Sequence, residues 1–189
     1  MIRILFLAGL ALLAPETSYA HVTTSPMAGL SAGLIHPLLG LDHLLAIVSV
    51  GILAGVGTGP SWKAFPVLFV FALAAGAFMG LGSPESNIIE PAISASVVVL
   101  GIAVMRPDLL RAFSLIGIAV CFALVHGYAH GSEVPAGSGP AFIAGMAATA
   151  LVLSLVVSWF FRLPALRSSV WYFGATSALA GLAMLVTSF

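Results

Sequence analysis

Six long apolar stretches make up most of this chain, separated only by short Gly-, Pro- and Ser-rich breaks and almost free of charge inside. Such stretches leave few folds open. In hydrocarbon every backbone N–H and C=O must be satisfied within the protein, so a spanning segment is a helix or a strand of a closed barrel. Barrel strands alternate apolar and polar residues, and these stretches do not. The sequence therefore predicts an all-α membrane protein. Of 189 residues, 61% are hydrophobic and 6% charged, against about 25% charged in a soluble domain. Too little polar surface exists to face water, and the natural surroundings of the chain are a lipid bilayer. The formal net charge of zero offers no basic face to nucleic acid. No glycine-rich loop ending in Lys-Ser or Lys-Thr is present to cradle a nucleotide.

Residues 1–20 read as a cleaved signal peptide. Arg3 supplies the basic start, residues 4–14 the apolar middle, and Ser18-Tyr19-Ala20 the small residues before a cut. The middle is too short to span, since a helix needs about 20 residues. Cleavage would make His21 the mature N-terminus; an uncleaved first helix is the alternative. The domain 21–189 then holds a six-helix transmembrane bundle, with spans at about 27–56, 64–81, 87–105, 112–130, 140–161 and 169–188. With the new terminus outside, Lys63, Arg106, Arg111, Arg162 and Arg167 all fall in cytoplasmic loops, while Glu85 and Glu133 lie on the outer side. That is the positive-inside pattern. It predicts a multi-pass protein of a bacterial inner (cytoplasmic) membrane with both termini periplasmic. Trp62, Trp159 and Trp171 fall near the expected inner boundary, as an aromatic belt would. Gly76 and Gly80, and the small residues Gly174, Ser177, Ala178 and Gly181, read as close helix contacts. Cys121, the single thiol, reads as a small core residue. It can form neither an internal disulfide nor a thiolate cage, so any metal site here uses N and O ligands.

Two short segments break the apolar pattern. His36, Asp42 and His43 lie within eight residues of the first span. His36 and His43 are seven apart and share a helix face, with Asp42 about a third of a turn away. On a straight helix His43 would lie roughly 20 Å from the outer end. Pro37 should kink the helix one turn before itself, and Gly33 and Gly40 would admit a neighbouring backbone. In the fourth span His126 and His130 stand at i,i+4, a spacing that grips one metal ion from a helix. Gly127 and Gly131 would thin that wall and could let the helix unwind. Ionisable groups at membrane depth are costly and usually mark a pathway or a site. Imidazole and carboxylate together bind divalent transition metals. The candidate metal residues are thus His36, Asp42, His43, His126 and His130. Glu90, Glu133 and His21 are candidates for a gate through which the ion is admitted. Structural alternatives stand beside each: a buried Asp42–histidine pair that fixes packing, a helix-end role for His130 and Glu133, an N-terminal helix charge at Glu90, and a free exposed terminus at His21.

These motifs resemble the HupE/UreJ family of membrane proteins, linked with hydrogenase and urease accessory functions. The family's His-x-x-x-x-x-Asp-His is matched by His36, Asp42 and His43. Its His-Gly-x-x-His-Gly-x-Glu is matched by His126, Gly127, His130, Gly131 and Glu133. Val125 stands where the family often has Phe. The resemblance covers nearly the whole chain and implies a signal peptide, a six-helix bundle and permeation of Ni²⁺ or Co²⁺ as the transported ion. The donor chemistry alone also admits Zn²⁺ and Cu²⁺, and calls for no organic cofactor. A permease is therefore the leading expectation and an enzyme is not. An intramembrane zinc hydrolase, with three histidines and an open coordination position, is an alternative. A b-type haem protein held by His36 and His126 is another. Homo-oligomers are compatible with the sequence.

Overall fold

The computed structural model describes residues 26–58, 60–84, 87–107, 113–134 and 137–188. The signal segment, His21, Glu85 and Arg111 lie outside them. The described residues are helical, with no strand among them: α1 (Pro26–Leu39), α2 (Leu41–Val56), α3 (Pro60–Gly80), α4 (Ile89–Met105), α5 (Phe113–Glu133), α6 (Gly139–Phe160) and, after a short 3₁₀ helix at Pro164–Ser169, α7 (Val170–Thr187). Among the described residues, three stretches are long and apolar enough to cross a membrane: Trp62–Gly80, Gly139–Phe160 and Pro164–Thr187. The bent pair α1–α2 would make a fourth, and Ile89–Met105 is apolar but shorter.

The expected first span, 27–56, is not one kinked helix. It is two helices meeting at a bend of 78°. The break comes after Pro37, at Gly40, rather than one turn before the proline. Pro37 has no N–H to return to the preceding turn. Gly40 then turns extended at φ −80° and ψ 120°, and its own N–H reaches the His36 carbonyl only at 3.4 Å. The depth of His43 measured along a straight helix therefore does not apply. A side chain at Gly40 would crowd the polar turn, because its Cβ would stand 2.6 Å from His43 Nδ1 and 2.9 Å from Asp42 Oδ1.

α2 runs through the centre, touching α3, α4 and α6, and buries Ala46, Val50 and Leu53. Around it the helices pack as pairs, α3 with α5, α4 with α7, and α1 with α6. Small residues set each pairing. Gly76 and Gly80 of α3 lie against the backbone of Leu124 and Tyr128, while Gly127 and Gly131 of α5 lie against Leu73 and Ala77. Two Gly-x-x-x-Gly ridges thus interlock backbone to backbone. α5 stays helical through Gly127 and Gly131; these glycines do not unwind it but seat it on α3. Gly101 of α4 meets Gly174 and Ala178 of α7, and Gly33 of α1 meets Phe142 of α6. Large apolar side chains such as Phe71, Met79, Leu179 and Val186 cover the outside, whereas Ser49, Ser96, Ser154 and Ser177 are buried between helices. Trp159 and Trp171 are exposed, but Trp62 is not part of such a belt: it is buried beside Gly57 and edge-on to Phe65. Cys121 is exposed on α5 rather than in the core.

The ridge makes a prediction. Gly131→Leu would drive a side chain into the Ala77 carbonyl, a backbone atom that cannot swing aside, and overpacking typically costs 1–3 kcal/mol or more. Thermal unfolding of the purified protein in detergent should show a clear loss of stability. Gly117→Ala, where nothing lies within 4 Å of the added carbon, should be neutral or stabilising, as helix propensity favours alanine by about 1 kcal/mol. Equal behaviour of the two variants would refute the interlock.

Candidate metal centre

Three helices bring the site together. α1 delivers His36 near its end, the first turn of α2 delivers Asp42 and His43, and the last two turns of α5 deliver His126 and His130. The bend at Gly40 is what folds His36 and His43 toward one point despite the broken helix. The glycine ridge holds α5 against α3 by the face next to its histidines, which leaves His126 and His130 turned inward. His43, His126 and His130 are 8%, 2% and 3% exposed, and His36 is half-buried.

His36 Nε2 lies 3.0 Å from His130 Nδ1. His43 Nε2 abuts His130 Nε2 and lies 3.4 Å from His130 Nδ1. Each of His36, His43 and His130 offers a nitrogen within 4.8 Å of the other two. Metal–imidazole bonds of 2.0–2.1 Å put neighbouring donors about 3 Å apart, and His36 Nε2 and His130 Nδ1 stand at that separation. Two chemical states suit this arrangement: the imidazoles share protons among themselves, or their lone pairs converge on a cation. Behind the cluster, His43 Nδ1 donates to Asp42 Oδ1 at 2.5 Å. That fixes the ring so that Nε2 faces the centre, the carboxylate–histidine support typical of metal ligands. The edge of Phe142 packs on the His36 ring at 5.1 Å between centroids.

The remaining sequence candidates are placed differently. His126 lies beside His43, with ring centroids 5.7 Å apart, but outside the three-histidine group. Its Nδ1 is 3.2 Å from the Phe122 carbonyl and 3.4 Å from Ser96 Oγ. Glu133 is half-exposed, its Oε2 3.8 Å from His130 Nδ1. Glu90, in the first turn of α4, is exposed and lies within electrostatic range of Asp42 and His43. A haem between His36 and His126 would need those rings on opposite sides of a macrocycle; instead both pack against His43. Sequence reasoning missed Ser96 and Phe142. Buried serines and phenylalanines are too common in apolar helices to stand out, and only their distances to His126 and His36 mark them.

A family model described as HupE / UreJ protein matches residues 9–185. Among curated proteins, Protein HupE of Rhizobium leguminosarum bv. viciae is 36% identical over 152 residues, which cover 79% of this chain and 78% of that protein. No solved structure matches the chain.

Proposed function

The chain belongs to the HupE/UreJ family, and from that premise we propose that it is a secondary transporter taking up a divalent transition metal, nickel before cobalt. The observation that carries this reading is the convergence of His36, His43 and His130 from three helices with Asp42 behind His43. Zn²⁺ also fits these donors; the preference for nickel rests on family membership. Glu133, Glu90 and the α-amine and imidazole of His21 are the groups that first meet the ion. The three imidazoles then replace part of its water. Asp42 supplies negative charge where a dication would otherwise sit among neutral ligands. The protein acts in the bacterial inner membrane, as six spans after a removed signal, with both termini periplasmic. Inward movement of a dication is favoured by the membrane potential, by about 4.6 kcal/mol per 100 mV at 2.3 kcal/mol per unit charge.

Transport suits the site better than catalysis. The cavity adjoining His43 and His126 holds about 10 Å³, enough for one small occupant and too little for an organic substrate. A larger cavity of about 460 Å³, between α3, α4 and α5, is lined by Gly76, Met79, Ile89, Leu124 and other residues with no histidine, cysteine or carboxylate among them. Uptake of radiolabelled Ni²⁺ and Co²⁺ into cells tests the reading. His43→Ala should reduce uptake to the level of cells lacking the protein while the variant is still inserted in the membrane. Uptake equal to wild type would remove the proposed route.

A further inference from the structure

The histidine site is open on one side and shut on the other. His36 and Asp42 are half-buried, and Glu90 and Glu133 are exposed. In the opposite direction α2 continues from His43 to Val56, roughly 20 Å at 1.5 Å per residue, and its surroundings are dry. Val50, Leu53, Phe65, Phe69, Leu100 and Met146 are all buried there. Two voids of about 10 Å³ each interrupt the packing. The first adjoins the site, and apart from His43 and His126 its walls are Pro37, Ala46, Ile47, Phe69, Leu73 and Met146. The second lies further from the site, among Leu53, Trp62, Phe65, Leu100 and their neighbours. Neither has room for more than one water. Ser49, the buried serine on this stretch of α2, lines neither. Phe69 borders the first void and Phe65 the second. Four residues apart on α3, they project from one helix face, so the two rings are neighbours along the line from one void to the other.

We propose that Phe69, backed by Phe65, is the inner gate of the metal route. The inference rests on the transport reading and deepens it. An ion held by His36, His43 and His130 faces an apolar wall on the side taken as cytoplasmic from the basic loop residues. A hydrophobic constriction carries ions only when it fills with water, and it seals by expelling that water. Phe69 stands in the wall of the void next to His43, so it is the first ring that must move. The two voids leave it room that a close-packed interior would deny. Swung aside, the ring joins them into a water-filled passage toward the far end of α2; swung back, it closes the passage. The ring coordinates nothing and decides when the ion leaves. Metal–ligand bonds are exchanged for bonds to water, and no other bond changes. Gate and ligand are also mechanically joined. α3, which carries Phe69, is locked through Gly76 and Gly80 to α5, which carries His130, so a shift of His130 on ion binding is passed to the ring's own helix.

The purified full chain is placed in vesicles of phosphatidylethanolamine and phosphatidylglycerol, and Ni²⁺ entry is followed with a trapped indicator dye. Phe69→Ser removes the ring and leaves a hydroxyl to hold water, so entry rises at least about tenfold as the constriction stays wet. Ni²⁺ affinity in detergent stays within about twofold of wild type, since no ligand or ligand support is touched. Phe69→Leu keeps the wall apolar and changes entry by no more than about twofold. Phe71→Ser alters a ring that is 77% exposed on the outer face of the same helix, and leaves entry unchanged. Leu73→Ser, on the wall of the first void, gives the same leak as Phe69→Ser and stands in for it if that variant does not fold. Independently of any variant, wild-type vesicles without Ni²⁺ hold a proton gradient as well as empty ones; if they leak, the gate is not closed and the proposal fails. Entry near the wild-type rate in Phe69→Ser and Leu73→Ser overturns it too, as does equal leakage through Phe71→Ser or a loss of Ni²⁺ affinity in folded Phe69→Ser. Wild-type entry no faster than that of His43→Ala would instead overturn the transport reading itself, so the two failures are distinct.

Discussion

Exchanging His130 for alanine should abolish metal uptake and weaken Ni²⁺ binding by at least about 100-fold, beyond the 10–100-fold typical of losing a supporting residue. His130 is the member of the cluster in contact with both others: its Nδ1 meets His36 at 3.0 Å and its Nε2 meets His43. Without it, His36 and His43 keep an edge-to-face ring contact at 5.3 Å between centroids, but the ion loses one of the three protein ligands that transition-metal sites ordinarily use. The fold should survive, because α5 is seated on α3 through Gly127 and Gly131 and not through its histidines. Titration of the purified variant with Ni²⁺, beside its thermal unfolding curve, checks both halves. Undiminished affinity would mean that the three imidazoles serve packing alone.

Asp42→Asn is expected to cut Ni²⁺ affinity about 10–100-fold while leaving the protein folded. Asparagine can still accept the hydrogen bond from His43 Nδ1, so the ring keeps its orientation. Only the negative charge is lost. In a low-dielectric interior that charge is what balances the dication, and an uncompensated buried charge is expensive. Asp42→Ala should be worse, since it releases the ring as well. The comparison separates charge from orientation: equal losses in the two variants would assign the role of Asp42 to its charge, a loss in Asp42→Ala alone would assign it to positioning, and no loss in either would detach it from the site.

Much of this arrangement is legible in the sequence, and the rest is not for identifiable reasons. The apolar stretches reveal the helices, because their length and lack of charge leave the backbone no other way to satisfy itself in hydrocarbon. The two histidine motifs reveal which helices carry chemistry. Periodicity fails at Gly40. A seven-residue spacing assumes an unbroken helix, and the extended glycine after Pro37 replaces that geometry with a 78° bend. His36 and His43 still meet, but across a corner. Nor does the sequence reveal that His36 lies against His130, 94 residues away, since nothing local encodes that the ends of α1 and α5 meet. Gly127 and Gly131 look like weak points when read alone. Their role appears only with the complementary ridge at Gly76 and Gly80 on α3. Trp62 reads as an interfacial aromatic by position, yet the bare Gly57 beside it leaves room for the indole to turn inward.

The exposed thiol of Cys121 has a practical use. It is the only cysteine in the chain and precedes His130 by nine residues, about two and a half helical turns, so it faces away from the imidazoles on the same rod. A spin label or fluorophore attached there needs no prior removal of other sulfhydryls and leaves the coordinating atoms untouched. The native polypeptide thus already carries a handle for watching α5 during turnover.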